Sequence, residues 1–453
     1  MKSISPTDGQ VFASFEPLEP EETLERLART HRAQADWRRS SFSERAHALL
    51  RWAELFEERA QELAEGIARE MGKPLREGVG EARKCALACR YYAEHGEAHL
   101  TAEAIETEAR ASYVAYRPLG VVLAIMPWNF PLWQVVRFGA PALMAGNGFL
   151  LKHAPNVTGT SLALERMARE AGFPQDLVQS LVVDVDQVPA LIADPRVAGV
   201  TLTGSTRAGR IVAELAGRAL KPTVLELGGS DPYLILEDAD LDLALEACAT
   251  SRLLNAGQSC IAAKRFLVVD AVRAEFTERL VERFRASRTG DPLDEATDLG
   301  PLARLDLRDA LARQVDESVA KGAVLACGGV VPAGPGAFYP PTVLTNVSPG
   351  APAWSEELFG PVASVIAVAD EVEAVRVANG TSFGLGAAVF TRDLERGRRI
   401  AEVELEAGSC FVNDFVKSDP RLPFGGIRDS GYGRELSRLG LHEFVNAKTV
   451  VVA

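Results

Sequence analysis

Charged and apolar residues alternate at helical spacing over residues 21–100. The segments EETLERLARTHRAQADWRR and SERAHALLRWAELFEERAQELAEGIAREMG carry apolar residues at three- and four-residue intervals. Ser41 lies three residues before Glu44, which is capping-box spacing, and Gly72, Lys73 and Pro74 follow the last apolar position. The pattern predicts long amphipathic helices, one of which begins at Ser41 and ends at Gly72.

Short apolar runs then alternate with helical segments. Strand-like runs such as GVVLAIMPW, GFLLKHAP, VAGVTLTG and PTVLELGG are separated by helical runs such as GTSLALERMAREAG and STRAGRIVAELAGR. A second series extends from RFLVVD to GSCFVND. This alternation predicts an α/β fold with parallel sheets and crossover helices. The last run, NAKTVVVA, has no neighbouring partner, so we expect it to pair with a distant segment or with another subunit.

Length and charge narrow the class of protein. A chain of 453 residues predicts two or three domains. The net charge of −13 argues against a nucleic-acid partner and against attachment to anionic lipid. The sequence has no apolar run of membrane-spanning length, and its first residues lack the apolar region of a signal peptide. We therefore expect a cytoplasmic protein.

The cysteines predict no disulfide framework and no metal site. Cys85 and Cys89 are four residues apart, on one face of a helix, where core packing is the simpler interpretation. The six histidines are scattered and form no zinc motif.

Two of the predicted strands end in stretches that could bind a ligand. In IMPWNFPLWQ, two prolines bracket Asn129, whose amide could face a developing oxyanion; a rigid turn with aromatic packing is the alternative. In GSTRAGR, Gly204 permits a tight turn and Ser205 could cap a helix that binds a phosphate. A well-capped crossover helix without a ligand explains that stretch equally well.

Glu226 and Cys260 are candidates for chemistry. Glu226 closes the apolar strand TVLELGG, where burial would make it a general base, although an edge-strand glutamate facing water is an equal alternative. Cys260, in NAGQSCIAAKRF, is by itself more simply a buried apolar residue. Its polar flanks favour a nucleophile, and a position at a helix N-terminus would favour its thiolate.

Seven stretches in order resemble the aldehyde dehydrogenase superfamily over nearly the whole chain: PWNFP, GFLLKHAP, GST, ELGG, GQSC, EELFGP and PFGGIRDSGYGRE. NAGQSCIAAKRF and FVKSDPRLPFGGIRDSGYGRE resemble its succinate-semialdehyde dehydrogenase branch most. The resemblance implies that Cys260 attacks an aldehyde and that Asn129 and the Cys260 N–H hold the oxyanion. It further implies that Glu226 activates the water that hydrolyses the thioester.

The resemblance also implies residues for the cofactor, NAD or NADP. These residues are Trp128, Lys152, Gly204, Ser205, Thr206, Leu227, Glu357 and Phe359. Many NAD-preferring relatives have a glutamate where this chain has Pro155, so the group that would repel a 2′-phosphate is missing. We therefore expect either cofactor to be accepted.

For the substrate, the resemblance implies that Arg137 binds the distal carboxylate of a semialdehyde, with a surface ion pair as the alternative. Lys417, Ser418 and Arg421 are looser candidates for the same role. The expected reaction is the oxidation of succinate semialdehyde to succinate. The alternative substrates are glutarate semialdehyde and an aliphatic aldehyde. The alternative classes of protein are a cysteine hydrolase that uses His153 and a non-catalytic protein.

The implied fold has three parts: a Rossmann-type cofactor domain at residues 1–100 and 119–228, an α/β catalytic domain at 229–430, and a small β element at 101–118 and 431–453. In the family such elements pair strands between subunits, so we expect a homodimer or homotetramer.

Overall fold

The computed structural model describes residues 1–453, and most of its strands lie in two large sheets. The helices, in chain order, are α1 (Pro20–Trp37), α2 (Phe42–Glu58), α3 (Ala60–Met71), α4 (Leu75–Leu100), α5 (Trp133–Ala145), α6 (Thr158–Glu170), α7 (Val188–Ala193), α8 (Thr206–Arg218), α9 (Leu241–Leu253), α10 (Asp270–Arg285), α11 (Leu305–Ala320), α12 (Pro352–Ser355), α13 (Glu371–Asn379), α14 (Leu394–Arg399) and α15 (Ser437–His442).

The strands, in chain order, are β1 (Lys2–Ile4), β2 (Val11–Ser14), β3 (Glu103–Ala104), β4 (Ala111–Pro118), β5 (Val121–Met126), β6 (Gly148–His153), β7 (Val178–Ser180), β8 (Val197–Thr203), β9 (Thr223–Glu226), β10 (Pro232–Ile235), β11 (Arg265–Val269), β12 (Val324–Cys327), β13 (Thr342–Thr345), β14 (Val362–Val368), β15 (Gly386–Phe390), β16 (Ser409–Val412), β17 (Gly431–Tyr432) and β18 (Val445–Val452).

The amphipathic helices form largely where the pattern predicts them. Ser41 caps α2 through a complete capping box with Glu44. The predicted single helix is wrong at one point, because α2 ends at Glu58 and α3 begins two residues later. Gly72 ends α3 in the left-handed conformation that glycine adopts at low cost (φ 81°). Cys85 and Cys89 of α4 are buried in the core.

The first large sheet has six strands in the order β17-β9-β8-β5-β6-β7. Strands β5 to β9 are parallel and β17 is antiparallel to β9. Both faces are covered by apolar residues, in a cluster of 48 buried residues on one side and of 16 on the other. The carboxyl ends of β5, β6, β8 and β9 lead directly into four of the sequence motifs, which is where open parallel sheets bind ligands.

The second large sheet has seven strands in the order β12-β13-β14-β11-β10-β15-β16 and its own core of 48 buried residues. All its pairs are parallel except β12 with β13. Cys260 lies in the segment just before β11. The second sheet therefore positions the thiol, and the loops that follow the strands of the first sheet form the other part of the site.

The C-terminal strand pairs with a distant segment of the same chain. β18 lies antiparallel to β4 over eight residues, from Val445 opposite Pro118 to Val452 opposite Ala111, in the sheet order β18-β4-β3. Gly431–Tyr432, at the start of the segment predicted for this small element, instead pairs with β9 in the six-stranded sheet. The other edge of β18 has no partner strand.

Candidate active site

Cys260 lies in a turn between α9 and β11, after a short 3-10 turn at Leu254–Gly257. It is not at a helix N-terminus, so that source of thiolate stabilisation is missing. Asn255 and Ala256 both have positive φ angles, 55° and 50°, and Gly257 follows at 74°. Left-handed backbone at two non-glycine residues costs free energy and persists only where the surroundings impose it.

Several buried contacts impose this conformation. The Asn255 N–H donates to Glu77 Oε2 at 2.7 Å, and the Arg252 guanidinium donates to the Gly257 carbonyl. A Cβ atom at Gly257 would lie 2.3 Å from the backbone of Gly360, so a side chain cannot fit there. The glycine of the GQSC stretch is therefore needed for close approach as well as for its φ angle.

Asn129 and the Cys260 turn are joined by two reciprocal hydrogen bonds. Asn129 Nδ2 donates to the Gln258 carbonyl at 3.1 Å, and Asn255 Nδ2 donates to the Asn129 carbonyl at 2.7 Å. One N–H of the Asn129 amide is thus used and the other is free. The Cys260 backbone N–H makes no hydrogen bond within the protein. Two donors are therefore available beside the thiol.

Lys264 fixes the other side of the nucleophile turn. Its buried ammonium donates to the Cys260 carbonyl at 2.6 Å and to the Ser259 carbonyl at 3.0 Å, and it lies 3.5 Å from Glu357 Oε1. Glu357 in turn accepts the Gly229 N–H at 3.0 Å. Lys264 therefore connects the backbone that carries the thiol to a carboxylate that the resemblance implies for cofactor binding.

Burial decides the protonation state of the thiol. Cys260 is half-buried, and desolvation raises the pKa of its thiol to about 12, although the positive charges of Arg137 and Lys264 oppose the shift. The negative charges of Glu357 and Glu226 add to the increase. The resting residue is accordingly a thiol near neutral pH, and its reaction requires loss of a proton.

Glu226 is a buried carboxyl group, and the water-facing alternative is wrong. It is 2% exposed, and β9 is flanked by β8 on one side and β17 on the other. Neither side-chain oxygen has a hydrogen-bond partner. Burial raises the pKa of Glu226 well above its usual value, and Arg137 is the main opposing charge. A carboxyl group in this state can take a proton near neutral pH.

Arg137 and Arg421 occupy different surroundings from those expected. Arg137 is 2% exposed, and its Nε pairs with Glu435 while Nη2 donates to Thr203 Oγ1 at 3.3 Å. The alternative of a surface ion pair is wrong, because the pair is buried. The Arg421 side chain is 74% exposed, pairs with Asp419 and does not reach the cavity beside Cys260. The structure therefore does not place Arg421 in the site.

One cavity of about 570 Å³ opens onto Cys260. Apolar side chains line much of it, among them Phe130, Trp133, Phe415 and Phe424. Basic side chains, including Arg137 from α5 and Lys84 from α4, line it as well, together with acidic and neutral polar ones. The cavity thus combines a thiol with an apolar channel and positive charge.

None of the expected cofactor residues lines the cavity beside Cys260. Ser205 Oγ accepts the Ala208 N–H at 3.3 Å and caps α8, as predicted. The Gly204 N–H donates to the Glu226 carbonyl at 2.9 Å. The Thr206 hydroxyl already donates to the Asp429 carbonyl at 3.1 Å. The N-terminus of this 13-residue helix can receive a pyrophosphate.

The burial and the polar contacts of Lys152 bear on whether a dinucleotide fits. It is 6% exposed, its only hydrogen bond is a 3.4 Å contact with the His153 carbonyl, and no carboxylate lies within 4 Å. A buried cation without an anionic partner is costly, and an anionic ligand offsets that cost. Pro155, two residues past the end of β6, is exposed and adds no negative charge. The residues present therefore fit a dinucleotide with or without a 2′-phosphate.

Aromatic and aliphatic groups complete the expected cofactor side. Trp128 and Phe359 meet edge to face with ring centroids 5.7 Å apart. Leu227 is buried, and its side chain fills the space where Gly209 lacks a Cβ atom, which would lie 2.6 Å away. These contacts place Trp128 beside Phe359 and Leu227 against α8.

His153 does not support the hydrolase alternative. Its two ring nitrogens lie 3.2 Å from the Met126 carbonyl and 2.9 Å from the Pro131 carbonyl, and burial lowers its pKa to about 4. His153 does not line the cavity. It therefore braces the loop of Asn129 instead of activating the thiol.

Three residues of the site were not found by sequence analysis: Lys84, Glu81 and Lys264. Glu81 Oε1 accepts the N–H groups of Leu132 and Trp133 at 2.8 and 2.9 Å, which fixes the start of α5. All three sit in ordinary helical or strand-flanking segments. The partners of Lys84 and Glu81 are remote in sequence, so spacing does not reveal them. Lys264 follows Cys260 closely, but a basic residue at that distance does not by itself indicate a contact with the nucleophile turn.

Comparisons with known proteins agree with this geometry. Residues 1–450 match the aldehyde dehydrogenase family. The chain is 49% identical to succinate-semialdehyde dehydrogenase [NADP(+)] 1 of Mycobacterium tuberculosis, over 100% of this chain and 99% of the relative. It is 47% identical to a probable succinate-semialdehyde dehydrogenase [NADP(+)] of a Synechocystis strain, over 100% and 99%.

A solved structure has nearly the same fold as this chain. The succinic semialdehyde dehydrogenase of Streptococcus pyogenes, crystallised with NADP+, has a TM-score of 0.97 and 37% identity, with 100% of this chain and 99% of that chain covered. No helix of the present protein has the length and apolar character needed to cross a membrane. Fold, motif order and sequence identity agree, and the chain belongs to the aldehyde dehydrogenase family.

Proposed function

We propose that this chain oxidises succinate semialdehyde to succinate with a nicotinamide dinucleotide as the oxidant. The observation that carries the proposal is a single cavity that combines the thiol of Cys260 with basic side chains. The free N–H groups of Cys260 and Asn129 belong to the nucleophile turn and to the loop bonded to it. The two relatives named above carry this activity in their names. Their sequences cover the whole of this chain, so no part of the site lies outside the similarity.

The first step is attack of the Cys260 sulfur on the aldehyde carbon. The Cys260 thiol gives its proton to solvent, the C–S bond forms, and the carbonyl π electrons move to oxygen, which gives a thiohemiacetal oxyanion. The free N–H of the Asn129 amide and the backbone N–H of Cys260 would stabilise that oxyanion. The short contacts of Asn129 and Lys264 hold both donors in place before substrate arrives.

The second step releases the acid. The bound dinucleotide would supply the acceptor for the hydride that leaves the former aldehyde carbon, so that Cys260 becomes a thioester. Glu226 takes a proton from water, the hydroxide oxygen adds to the thioester carbon, and the C–S bond breaks. The proton held by Glu226 then passes to the leaving sulfur and returns the thiol. The two unpaired oxygens of Glu226 are suited to this role. Family members that acylate coenzyme A commonly lack this glutamate, and its presence here favours the free acid as the product.

Lys152, the N-terminus of α8 at Ser205, and Glu357 would hold the dinucleotide, with Trp128, Leu227 and Phe359 around its nicotinamide. We propose that both NAD and NADP are accepted and that NADP is preferred. The unpaired ammonium of Lys152 and the absence of an acidic side chain at Pro155 favour a 2′-phosphate. The printed names of the relatives specify NADP.

Arg137 would contribute to recognition of the distal carboxylate through Nη1, which makes no hydrogen bond within the protein. The apolar part of the cavity favours a second candidate substrate, an aliphatic aldehyde without a carboxylate. Glutarate semialdehyde, with one more methylene group, is a third candidate of the same class. These substrates differ in charge and length, so a panel of three aldehydes separates them.

We propose that the enzyme works as a homodimer or homotetramer in the cytoplasm. The free edge of β18 supports assembly, since exposed edges tend to pair and its last residues Val451 and Val452 are exposed. Sedimentation at micromolar concentration tests assembly, and a monomer would contradict it. The six cysteines are all unpaired, which suits a reducing compartment. Retention of Cys260 in its reduced form in cytoplasmic extract tests that location.

The three-part division is also a proposal: residues 1–100 and 119–228 bind the cofactor, residues 229–430 carry the nucleophile, and β3, β4 and β18 assemble the oligomer. The six-stranded, seven-stranded and three-stranded sheets support it. Deletion of β18 tests the last part, and we expect a monomer that binds the dinucleotide. A mutant that stays oligomeric would contradict the assignment.

Steady-state kinetics test the function. Reduced-nicotinamide formation is measured with succinate semialdehyde, glutarate semialdehyde and butanal, each with NAD and NADP. We expect the highest kcat/KM with succinate semialdehyde and NADP. Equal values for butanal would overturn the substrate assignment and leave the cysteine chemistry, whereas no reduction with any aldehyde would overturn the dehydrogenase itself.

A further inference from the structure

The cavity beside Cys260 is lined by five basic side chains: Arg76, Lys84, Arg137, Arg283 and Lys417. Four of these have a carboxylate of the protein within 4 Å. Their partners are Asp298 for Arg76, Glu435 for Arg137, Glu246 for Arg283 and Asp414 for Lys417. Lys84 alone has no carboxylate partner. The positive charge that the protein leaves uncompensated in this cavity is therefore that of Lys84.

Lys84 is also fixed in position. It projects from α4, and its ammonium donates to Ser418 Oγ at 2.8 Å. The same ammonium lies 4.4 Å from the centroid of the Trp133 ring, close enough for a cation–π contact. A hydroxyl and a ring hold the group in the cavity wall without neutralising it, so the residue is preorganised for an anion.

The acidic residues of the cavity do not fill this role. Glu81 pairs with Lys73, and Asp298 pairs with Arg76. Glu77 accepts a backbone N–H from the nucleophile turn, and burial raises its pKa to about 7. None of the three forms an ion pair with Lys84, and the ligand must supply the missing negative charge.

We propose that Lys84, supported by Ser418, is the residue that selects the distal carboxylate of the semialdehyde. This inference rests on the proposed function and goes beyond it by assigning the main role to Lys84. Arg137 shares its charge with Glu435 and cannot offer a full positive charge to the carboxylate. Burial lowers the pKa of Lys84 to about 8, with Arg137 adding to the decrease and Cys85, Glu81 and Asp419 opposing it. A bound carboxylate stabilises the charged form and raises that pKa again.

The main test is Lys84→Met, which removes the charge and keeps an unbranched side chain. We expect KM for succinate semialdehyde to rise about tenfold or more, the loss typical of one charge-assisted hydrogen bond, while kcat changes much less. The ratio of kcat/KM for succinate semialdehyde to that for butanal should fall by the same factor. Lys84→Arg keeps a charge and should restore most of the ratio.

Arg76→Met is the matched control. It removes a cation from the same helix and the same cavity wall, but one that already pairs with Asp298. We expect its substrate ratio to stay within about threefold of the wild type, as is usual for an exposed ion pair. If the substrate ratio falls as much in Arg76→Met as in Lys84→Met, the summed positive charge of the cavity selects the carboxylate. That result would overturn the specific role of Lys84.

A binding readout covers the case in which Lys84→Met loses all turnover. Succinate should protect Cys260 of the wild type from alkylation by iodoacetamide, and butyramide should not. We expect that protection to be lost in Lys84→Met and kept in Lys84→Arg. Protection that is equal in both, or an unchanged substrate ratio, overturns the inference. A wild type that oxidises butanal but not succinate semialdehyde overturns the proposed function instead.

Discussion

The Asn129 side-chain amide lies 3.1 Å from the carbonyl of Gln258, two residues before Cys260 in the chain. This hydrogen bond joins the loop after β5 to the nucleophile turn and leaves one N–H of the amide free. One residue lies in the loop that follows the first sheet and the other in the turn that precedes a strand of the second, so the bond helps to fix how the two sheets meet at the thiol. Together with the bond from Asn255 to the Asn129 carbonyl, it positions the oxyanion donor relative to the nucleophile.

Asn129→Ala tests this contact together with the donor. We expect kcat to fall about 100-fold, the usual effect of losing one preorganised oxyanion donor. Asn129→Asp keeps the shape of the side chain without the N–H groups and should lose a similar factor. Initial rates and thermal melting are measured for both. A lowered melting temperature with kcat retained would show a structural role alone.

Glu226→Gln should slow turnover about 100-fold or more while the thiol still reacts, because the base that activates water is lost. We expect a rapid first turnover of reduced nicotinamide followed by a slow steady state. Stopped-flow absorbance separates the two phases. Loss of the first turnover as well would show that Glu226 acts before hydride transfer.

Pro155→Glu should move the cofactor preference toward NAD. A carboxylate at this position would repel a 2′-phosphate, so we expect kcat/KM for NADP to fall about tenfold or more and that for NAD to change little. Pro155→Ala is the matched control, since it removes the proline without adding charge. Equal losses in the two variants would mean that the backbone, and not the charge, decides the preference.

Glu77 should make stability depend on pH. Burial raises its pKa in the folded chain to about 7, above its unfolded value of about 4.5. Its contribution is therefore fully present below pH 4.5 and is lost as the pH rises through about 7. The loss has a ceiling of about 3 kcal/mol, reduced by the solvent that reaches this half-buried group.

Thermal melting at pH 5 and pH 8 measures this effect. Glu77→Gln still offers an acceptor to the Asn255 N–H and should lose less stability between the two pH values than the wild type. Glu278→Gln, at an exposed position on α10, is the control and should follow the wild type. A Glu77→Gln profile that coincides with the wild type would contradict the assignment.

Sequence patterns predict two kinds of element in this fold: amphipathic helices, in which one face differs from the other, and short apolar runs, which become buried strands. The helix that begins at Ser41 is of the first kind, and the largely buried strands β5, β6, β8 and β9 are of the second. Helix α5 was not predicted, because all its residues are buried and no polar face marks it. The same holds in part for α9, which has many buried residues, and α11 was also missed.

The residues of the site also divide into those that the sequence identifies and those that it does not. Motifs and family resemblance identify the residues that would touch the substrate, such as Cys260, Asn129 and Glu226. They do not identify residues that act through remote contacts, because Lys84 and Ser418 are 334 positions apart and meet only in the folded chain. The ion pair between Arg137 and Glu435 cannot be predicted from the sequence either, and it reduces the positive charge that Arg137 can offer to a substrate.

Peptide mapping of Glu226→Gln after reaction with succinate semialdehyde and NADP addresses the cysteine chemistry most directly. The protein is quenched in acid, digested and analysed by mass spectrometry, with Cys260→Ala and an incubation without NADP as controls. The proposed mechanism predicts a succinyl thioester on the peptide that contains Cys260, formed only when NADP is present. An adduct on Cys327 or Cys410, or no acyl adduct despite reduced-nicotinamide formation, would contradict it.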